Sequence, residues 1–378
     1  MADEEVKYGL AGVLADDTAI SKVMPEINSL TYRGYKVQDL ATQCRFEEVA
    51  YLIWHGELPN KSELDTFNAM EKKERGLTDD LKEVMSRFNK KAHPMDTLRT
   101  AVSFLGQEDD TTEDSSQGGL YKKSVRMFAK IPEIVAADFR LRNGKEPIAP
   151  TDDLGFSENF FHMAFGEVPA PEVVKCFDIS MTLYAEHSFN ASTFTARTIA
   201  SSTSDIYSAV TGAIGSLKGP LHGGANEAVM HMLTEVGSPD TAEDWMLTAL
   251  KEKRKIMGFG HRVYRSGDSR VPTMTDAYKK MVDVIGTDEA KKYWEISQIL
   301  DKTMVDQKGI YPNLDFPAGP AYYLMGFEIP MFTPIFVVSR ITGWTAHVME
   351  QLDNNKLVRP LSNYTGVDQR DVPNLDQR

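Results

Sequence analysis

Three short segments in the second half of the chain each set one ionisable side chain among glycines or beside a proline. His222 lies in Gly219-Pro220-Leu221-His222-Gly223-Gly224-Ala225-Asn226, His261 in Gly258-Phe259-Gly260-His261-Arg262-Val263-Tyr264, and Asp315 in Tyr311-Pro312-Asn313-Leu314-Asp315-Phe316. Glycine lets backbone turn sharply and approach a ligand, so a histidine framed by it is aimed at a substrate more readily than packed in a core. Two imidazoles and one carboxylate suffice to remove a proton beside a carbonyl and to steer the carbanion equivalent that results. Taken alone, Asp315 also reads as the former of an Asx turn after Pro312-Asn313.

The elements that must position these residues read as helices. Phe46, Val49, Ala50, Ile53 and Trp54 fall at helical spacing and stop at His55-Gly56. Asp205 to Lys218 repeats the pattern through Ile206, Ala209, Val210, Ala213, Ile214 and Leu217, and its stop at Gly219-Pro220 puts His222 just past a helix C-terminus. From Thr333, read as an N-cap before Pro334, an apolar helix runs to about Leu352 with Arg340 midway along it. The run 30–37 reads as a small hairpin around Arg33-Gly34, and 106–119, acidic and polar, as a mobile surface loop. With no series of alternating strands or βαβ units, the fold is expected to be mostly α. His55 and His347, on apolar helices, read as core residues.

Composition narrows the function. The 378 residues exceed the size at which one core usually keeps growing, so two domains are expected. A net charge of −13 argues against nonspecific nucleic-acid or anionic-membrane binding. An anionic substrate must therefore meet locally clustered arginines. Cys44 and Cys176 are far apart and in no CxxC spacing, which supports neither a disulfide framework nor a thiolate metal site. The acidic start Met1-Ala2-Asp3-Glu4-Glu5 and the lack of a long apolar run lead us to expect a soluble cytoplasmic protein.

Taken together, the motifs carry a resemblance. Gly9-Leu10-Ala11-Gly12-Val13, Leu30-Thr31-Tyr32-Arg33-Gly34-Tyr35, His93-Pro94-Met95, the run from Ala185 to Phe194, the three segments above and Val358-Arg359-Pro360 follow one another in family order. The chain resembles the bacterial dimeric citrate synthases and is equally similar to the 2-methylcitrate synthases. That resemblance implies condensation of an acyl-CoA thioester with oxaloacetate, then hydrolysis of the citryl thioester, with no metal and no permanently bound cofactor. It implies Asp315 as general base, His222 as hydrogen-bond donor to the enolate oxygen, best as a neutral imidazole, and His261 as the residue that polarises the ketone. Arg270, Arg340 and Arg359 would clamp the two carboxylates with His187, Arg359 reaching in from the second subunit of a homodimer. Bidentate guanidinium suits that task. Lys255, Ile256, Met257, Gly258 and Phe259 would receive coenzyme A and Arg265 its phosphates, with Lys251, Lys253 and Arg254 adding positive charge. The implied architecture is a two-domain fold: a large helical domain (1–222 and 326–378) carrying the dimer interface, and a small one (223–325), with the site in the cleft.

Two departures from the family pattern stand out. Ser269 precedes Arg270 where proline is usual, and Pro317-Ala318-Gly319 follows Phe316 where an aromatic and then a small residue are common. Loss of bulk beside the base is expected to leave room for propionyl-CoA as well as acetyl-CoA. Gly258-Phe259-Gly260 also suggests a dinucleotide-dependent oxidoreductase, but Val263 stands where a third glycine is needed and no strand precedes it. A non-enzymatic helical scaffold leaves the ordered histidines and arginines unexplained. No HExxH or comparable spacing supports a metallohydrolase.

Overall fold

In the computed structural model, residues 6–10, 12–261, 263–264 and 267–378 are described. Near the N-terminus three short antiparallel strands, β1 (Ser21–Met24), β2 (Ser29–Tyr32) and β3 (Tyr35–Lys36), pair in that order, with Ser21 opposite Tyr32 and Thr31 opposite Lys36. The expected hairpin is present, turning at Arg33 and Gly34 with φ of 48° and 90°. Its partner β1 was not anticipated, because Ser-Lys-Val-Met shows no alternation of apolar and polar residues. The sheet serves the interior: the Tyr32 hydroxyl reaches the carbonyls of Thr182 (3.1 Å) and Glu186 (2.9 Å).

The remaining regular elements among the described residues are helices. α1 (Val37–Gln43) and α2 (Phe46–His55) lead into α3 (Lys61–Glu74) and α4 (Asp79–Ser86). α2 ends at Gly56, whose φ of 91° is the left-handed stop its sequence signals. α5 (Pro94–Gln107) starts on His93, whose Nδ1 accepts from the Met95 N–H at 3.2 Å. α6 (Gln117–Arg142) and α7 (Phe156–Phe165) pack on α2 through an aromatic cluster in which Phe128 stacks on Phe156 with 4.4 Å between ring centroids. The expected loop at 106–119 is shorter than its composition suggests and is fastened: Lys123 donates to the carbonyls of Thr112 (2.8 Å) and Asp114 (2.7 Å), and Tyr207 to Asp109 (2.6 Å).

α8 (Pro171–Tyr184), α9 (Ala191–Ser201) and α10 (Ile206–Leu217) surround the last helix. Asp205 caps α10, as its sequence predicts, by accepting from the Ser208 N–H at 2.9 Å. α11 (Ala225–Val236), α12 (Pro239–Lys251), α13 (Val271–Ile285), α14 (Asp288–Lys308) and α15 (Asp315–Leu324) follow. α11 packs on α15, α12 on α14, and α13 lies against both α8 and α15. Gly319 is required at the α11 contact, since a Cβ there would sit 2.8 Å from the Asn226 carbonyl oxygen.

α16 (Phe332–Asp353) is buried over nearly all its length and touches α6, α8, α9 and α10. It begins at Phe332, two residues earlier than expected, and Thr333 is not its cap. The Thr333 hydroxyl meets the carboxylate of Glu227 instead, and Glu227 also faces His93 Nε2 at 3.3 Å, so the starts of α5, α11 and α16 meet there. Among the described residues no helix is long and apolar enough to cross a membrane.

The closest backbone approach on α16 is at Gly343, where an added Cβ would stand 2.5 Å from the Ala185 carbonyl and 2.4 Å from Glu186 Oε2. Gly343→Ala should lower stability by about 1–2 kcal/mol, the overpacking outweighing alanine's helix propensity. Urea unfolding will read this as a lower midpoint; an unchanged or higher midpoint would show that the 185–186 segment yields freely.

Candidate active site

His222 sits in the turn that ends α10. The Gly223 N–H closes that turn on the Leu217 carbonyl (2.9 Å), and a Cβ at Gly223 would lie 2.5 Å from the same oxygen, so the turn requires glycine. The first turn of α9, capped by Asn190, has N–H groups with no partner inside the helix. One of them, on Ser192, donates to His222 Nε2 at 3.2 Å, with Ser192 Oγ 2.8 Å away and itself accepting from Trp344 Nε1 at 3.1 Å. A backbone N–H can only donate. Nε2 therefore carries the lone pair and Nδ1 the proton. Burial, and then the charge of Arg340, push this imidazole down to about 4, so it is neutral near pH 7.

His261 has the opposite tautomer. Its Nδ1 accepts from the N–H groups of Val263 (3.0 Å) and Tyr264 (3.3 Å), which leaves the proton on Nε2. Burial and then Arg270 hold it at about 4. Gly260, with φ of 79°, makes the approach possible. The His187 ring lies 5.1 Å from that of His261, and burial drives its pKa well below the ordinary value. Among the described residues nothing hydrogen-bonds to His187 Nε2, although the atom is buried.

Asp315 opens α15. Asn313, rather than Asp315, forms the Asx turn, its Oδ1 accepting from the Asp315 N–H at 3.1 Å. The Asp315 carboxylate is thereby left to accept from the Tyr184 hydroxyl at 2.7 Å. Burial raises it to about 6 against the opposing pull of Tyr184, Arg270 and Arg340. The segment before it is tied to the loop before His261: Asn313 N–H donates to the Gly258 carbonyl (2.9 Å), Gly260 N–H to the Tyr311 carbonyl (2.8 Å), and Asn313 Nδ2 to the Gly260 carbonyl (3.0 Å). Asp315 and His261 thus ride on one hydrogen-bonded unit.

Arg270 is buried and grips Asp268 with two prongs, Nε to Oδ1 at 3.0 Å and Nη2 to Oδ2 at 2.7 Å, while Nη1 reaches the Leu183 carbonyl at 3.3 Å. Ser269 keeps its N–H where proline would lose it, and its hydroxyl bonds Tyr264 at 3.2 Å. Arg340 donates from Nε to the Tyr184 carbonyl (2.6 Å) and lies over the Phe336 ring at 4.7 Å. Burial pushes its pKa down to about 10, with Glu186 opposing. The charge of Arg340 acts on His187, His222 and Asp315, and that of Arg270 on His187, His261 and Asp315, so these residues share one electrostatic neighbourhood.

Not every expected residue joins it. Arg359 is exposed, in the extended segment after α16, where the preceding Val358 N–H is fixed to Ser201 Oγ at 3.0 Å. Arg265 lies outside the described residues. Lys255 is exposed, Ile256 and Met257 are half-buried, and Phe259 packs tilted against Phe316 with 4.6 Å between centroids. Gly258, with φ of 82°, is needed because a Cβ would meet Val229 at 2.5 Å. Arg254, also exposed, is already engaged, pairing with Glu235 at 2.9 Å and covering Trp245, which leaves Lys251, Lys253 and Lys255 as the exposed cations of that cluster without an ion pair among the described residues. Sequence reasoning missed Tyr184, Ser192 and Asp268. Only Asp268, two residues before Arg270, carried a signal that local spacing offers.

Such a site, on a mostly α scaffold, is that of an enzyme able to enolise one carbonyl compound and activate another. The citrate synthase C-terminal-domain profile matches residues 9–361. A 2-methylcitrate synthase of Mycobacterium tuberculosis H37Rv is 56% identical over 370 residues, 98% of this chain and 93% of that one. A citrate synthase of Mycolicibacterium smegmatis is likewise 56% identical, over 97% of each chain. The solved citrate synthase of Pyrobaculum aerophilum superposes with a TM-score of 0.92 at 38% identity, covering 99% of this chain and 95% of that one. That of Thermoplasma acidophilum, a ternary complex with carboxymethyl coenzyme A and oxaloacetate, gives 0.92 at 28% identity, covering 99% of this chain and 100% of that one. The chain belongs to the citrate synthase family. It is an acyltransferase, a citrate synthase or 2-methylcitrate synthase, and its relatives carry both names at equal identity.

A base must be ionised to accept a proton, so activity falls as pH drops through the carboxyl's pKa. For Asp315 the acid limb of kcat/KM should lie near pH 6 rather than near the ordinary aspartate value of about 4. No histidine limb should appear above it, since His222 and His261 remain neutral down to about 4. Tyr184→Phe removes a hydrogen bond that favours the carboxylate and should move the limb to higher pH. A limb that stays in place in this variant would place the titrating group elsewhere.

Proposed function

We propose that Asp315 removes the proton beside the thioester carbonyl of acetyl-CoA or propionyl-CoA while His222, donating from Nδ1, stabilises the developing enolate oxygen. A neutral donor fixed beforehand needs no reorganisation as charge builds, and unlike an imidazolium it does not weaken the nearby base. His261 donates from Nε2 to the ketone oxygen of oxaloacetate and passes that proton to the alkoxide as the new carbon–carbon bond forms; it recovers a proton from the water that attacks the thioester, and the proton held by Asp315 goes to the departing thiolate of coenzyme A. Water then cleaves the citryl or methylcitryl thioester to release coenzyme A. The observation that carries this reading is the pair of opposite, backbone-fixed tautomers of His222 and His261, which share the neighbourhood of Arg270 and Arg340 with a carboxylate of raised pKa.

His187, Arg270 and Arg340 hold the oxaloacetate carboxylates, joined by Arg359 of the partner subunit in a homodimer. The exposure of Arg359 and its distance in sequence from α16's buried face support an intersubunit role. Coenzyme A lies along Lys255–Phe259, where exposed lysines relieve an otherwise acidic surface. We read 223–325 as a small domain that closes on 1–222 and 326–378 once oxaloacetate is bound, so that the enolate forms away from water and binding is ordered. No permanently bound cofactor is needed for this sequence of steps. The setting is the cytoplasm of a bacterium, in the tricarboxylic acid cycle or in propionate metabolism, with no nucleic-acid or membrane partner.

Both acyl chains are expected to be used. One methylene is worth only about 1–3 kcal/mol in an apolar pocket, a ratio of roughly 10–200-fold. The space released at Gly319 is taken up by α11, which leaves Pro317 as the departure that bears on acyl size. Initial rates at equal acetyl-CoA and propionyl-CoA concentrations should both be measurable; undetectable propionyl-CoA turnover would end the dual activity.

Asp315→Asn should lower kcat by about 10²–10⁴-fold with oxaloacetate affinity little changed. Mixing Asp315→Asn chains with Arg359→Ala chains should restore activity, because a heterodimer regains one intact centre. No recovery after verified subunit exchange would place Arg359 in its own chain's site.

A further inference from the structure

Arg340, Gly343 and His347 fall at i, i+3 and i+7 on α16 and face the single run from Tyr184 to Ser188. At the centre of that run is Glu186, a fully buried carboxylate for which the reaction has no use. Its Oε1 accepts from Ser21 Oγ at 2.8 Å, from the Ser188 N–H, and from His347 Nε2 at 2.9 Å. The other His347 nitrogen faces Arg197 Nη1 at 3.2 Å. Arginine can only donate, so Nδ1 accepts and the proton of a neutral His347 is on Nε2, directed at Glu186. Arg197 is anchored in turn by Glu350 (2.8 Å) and Asp16 (3.0 Å), and Glu350 also takes the Ala19 N–H at 2.8 Å. His347, read from sequence as a core residue, is therefore the middle of a buried polar relay.

The relay ends on the residue beside His187. Ser188 has φ of 52°, a left-handed conformation that a serine adopts only when its surroundings hold it there. What holds it is its N–H, shared between Glu186 Oε1 and Ser21 Oγ (3.0 Å). This kink turns the chain immediately after His187 and so sets the direction of that ring. We infer that Glu186, oriented by His347 and Ser21, is a positioning residue that fixes His187 against Arg340 for the oxaloacetate carboxylates and ties that geometry to the N-terminal segment through Arg197. The inference rests on the reading of His187 and Arg340 as oxaloacetate ligands.

The test compares His347→Leu, which removes the donor to Glu186, with His347→Gln, whose amide restores one. His347→Leu should raise the oxaloacetate KM at least tenfold and leave the acyl-CoA KM, at saturating oxaloacetate, within threefold; His347→Gln should bring the oxaloacetate KM back to within threefold of the parent. Ser21→Ala, a smaller change at the edge of the sheet, should raise the oxaloacetate KM at least threefold and carries the test if the α16 variants do not fold. Variants that melt earlier yet keep the parent oxaloacetate KM would overturn the inference, as would equal rises in both KM values. Arg340→Lys and His187→Asn separate the two levels. If they too leave the oxaloacetate KM unchanged, the assignment of the diacid site has failed; if they raise it while Ser21→Ala and His347→Leu do not, only the positioning role has failed.

Discussion

The Arg270–Asp268 ion pair is the fastening on which the site depends. Both side chains are almost wholly out of water, where removing two charges from solvent costs more than a simple attraction returns unless geometry and further hydrogen bonds are nearly complete. Here they are. The guanidinium is held in two places by one carboxylate and in a third by the Leu183 carbonyl, and Asp268 also accepts the N–H groups of Arg270 (3.1 Å) and Leu314 (3.2 Å). These bonds join the start of α13, the end of α8 and the residue just before Asp315. Asp268 is accordingly held far below the usual carboxylate range, so the pair stays charged throughout the working pH range.

From that anchor the remaining chemistry is a matter of where protons sit. Three imidazoles share one neighbourhood with two arginines, and burial and positive charge together keep all three neutral. The carboxylate beside them is moved the other way by burial, while Tyr184 and the arginines limit the rise. A raised carboxyl in the same neighbourhood as uncharged imidazoles is the distribution that the proposed enolisation requires, and it follows from desolvation acting with opposite sign on acids and bases.

Much of this was legible in the sequence wherever a local rule applied. Glycine stops placed the ends of α2 and α10, and glycine frames picked out His222 and His261. What was not legible depends on contacts between distant segments. Tyr184 meets Asp315 across 131 positions and Ser192 meets His222 across 30; Tyr184 carries no motif, and the motif that contains Ser192 says nothing of its partner. Thr333-Pro334 looked like a helix start, but the hydroxyl was drawn to Glu227, a partner on another helix. Composition suggested that 106–119 was mobile because it counts polar groups without knowing that Lys123 and Tyr207 will satisfy them. His347 is the core residue that its helix suggested, fully buried, but an apolar helix face gave no hint of which polar neighbours on other segments would satisfy its ring.

The ring nitrogens of His222 and His261 that lack protons are both covered by main-chain N–H groups, at Ser192, Val263 and Tyr264. The tautomers are consequently written into the path of the backbone, and at positions 263 and 264 they are indifferent to the side chain, whereas the Ser192 hydroxyl itself lies 2.8 Å from His222 Nε2. Homologous sequences are free to drift at 263 and 264 without disturbing the proposed acid–base assignment, with a single exception. Proline, having no amide hydrogen to offer, is the one residue whose arrival would let an imidazole turn over its proton to the wrong side.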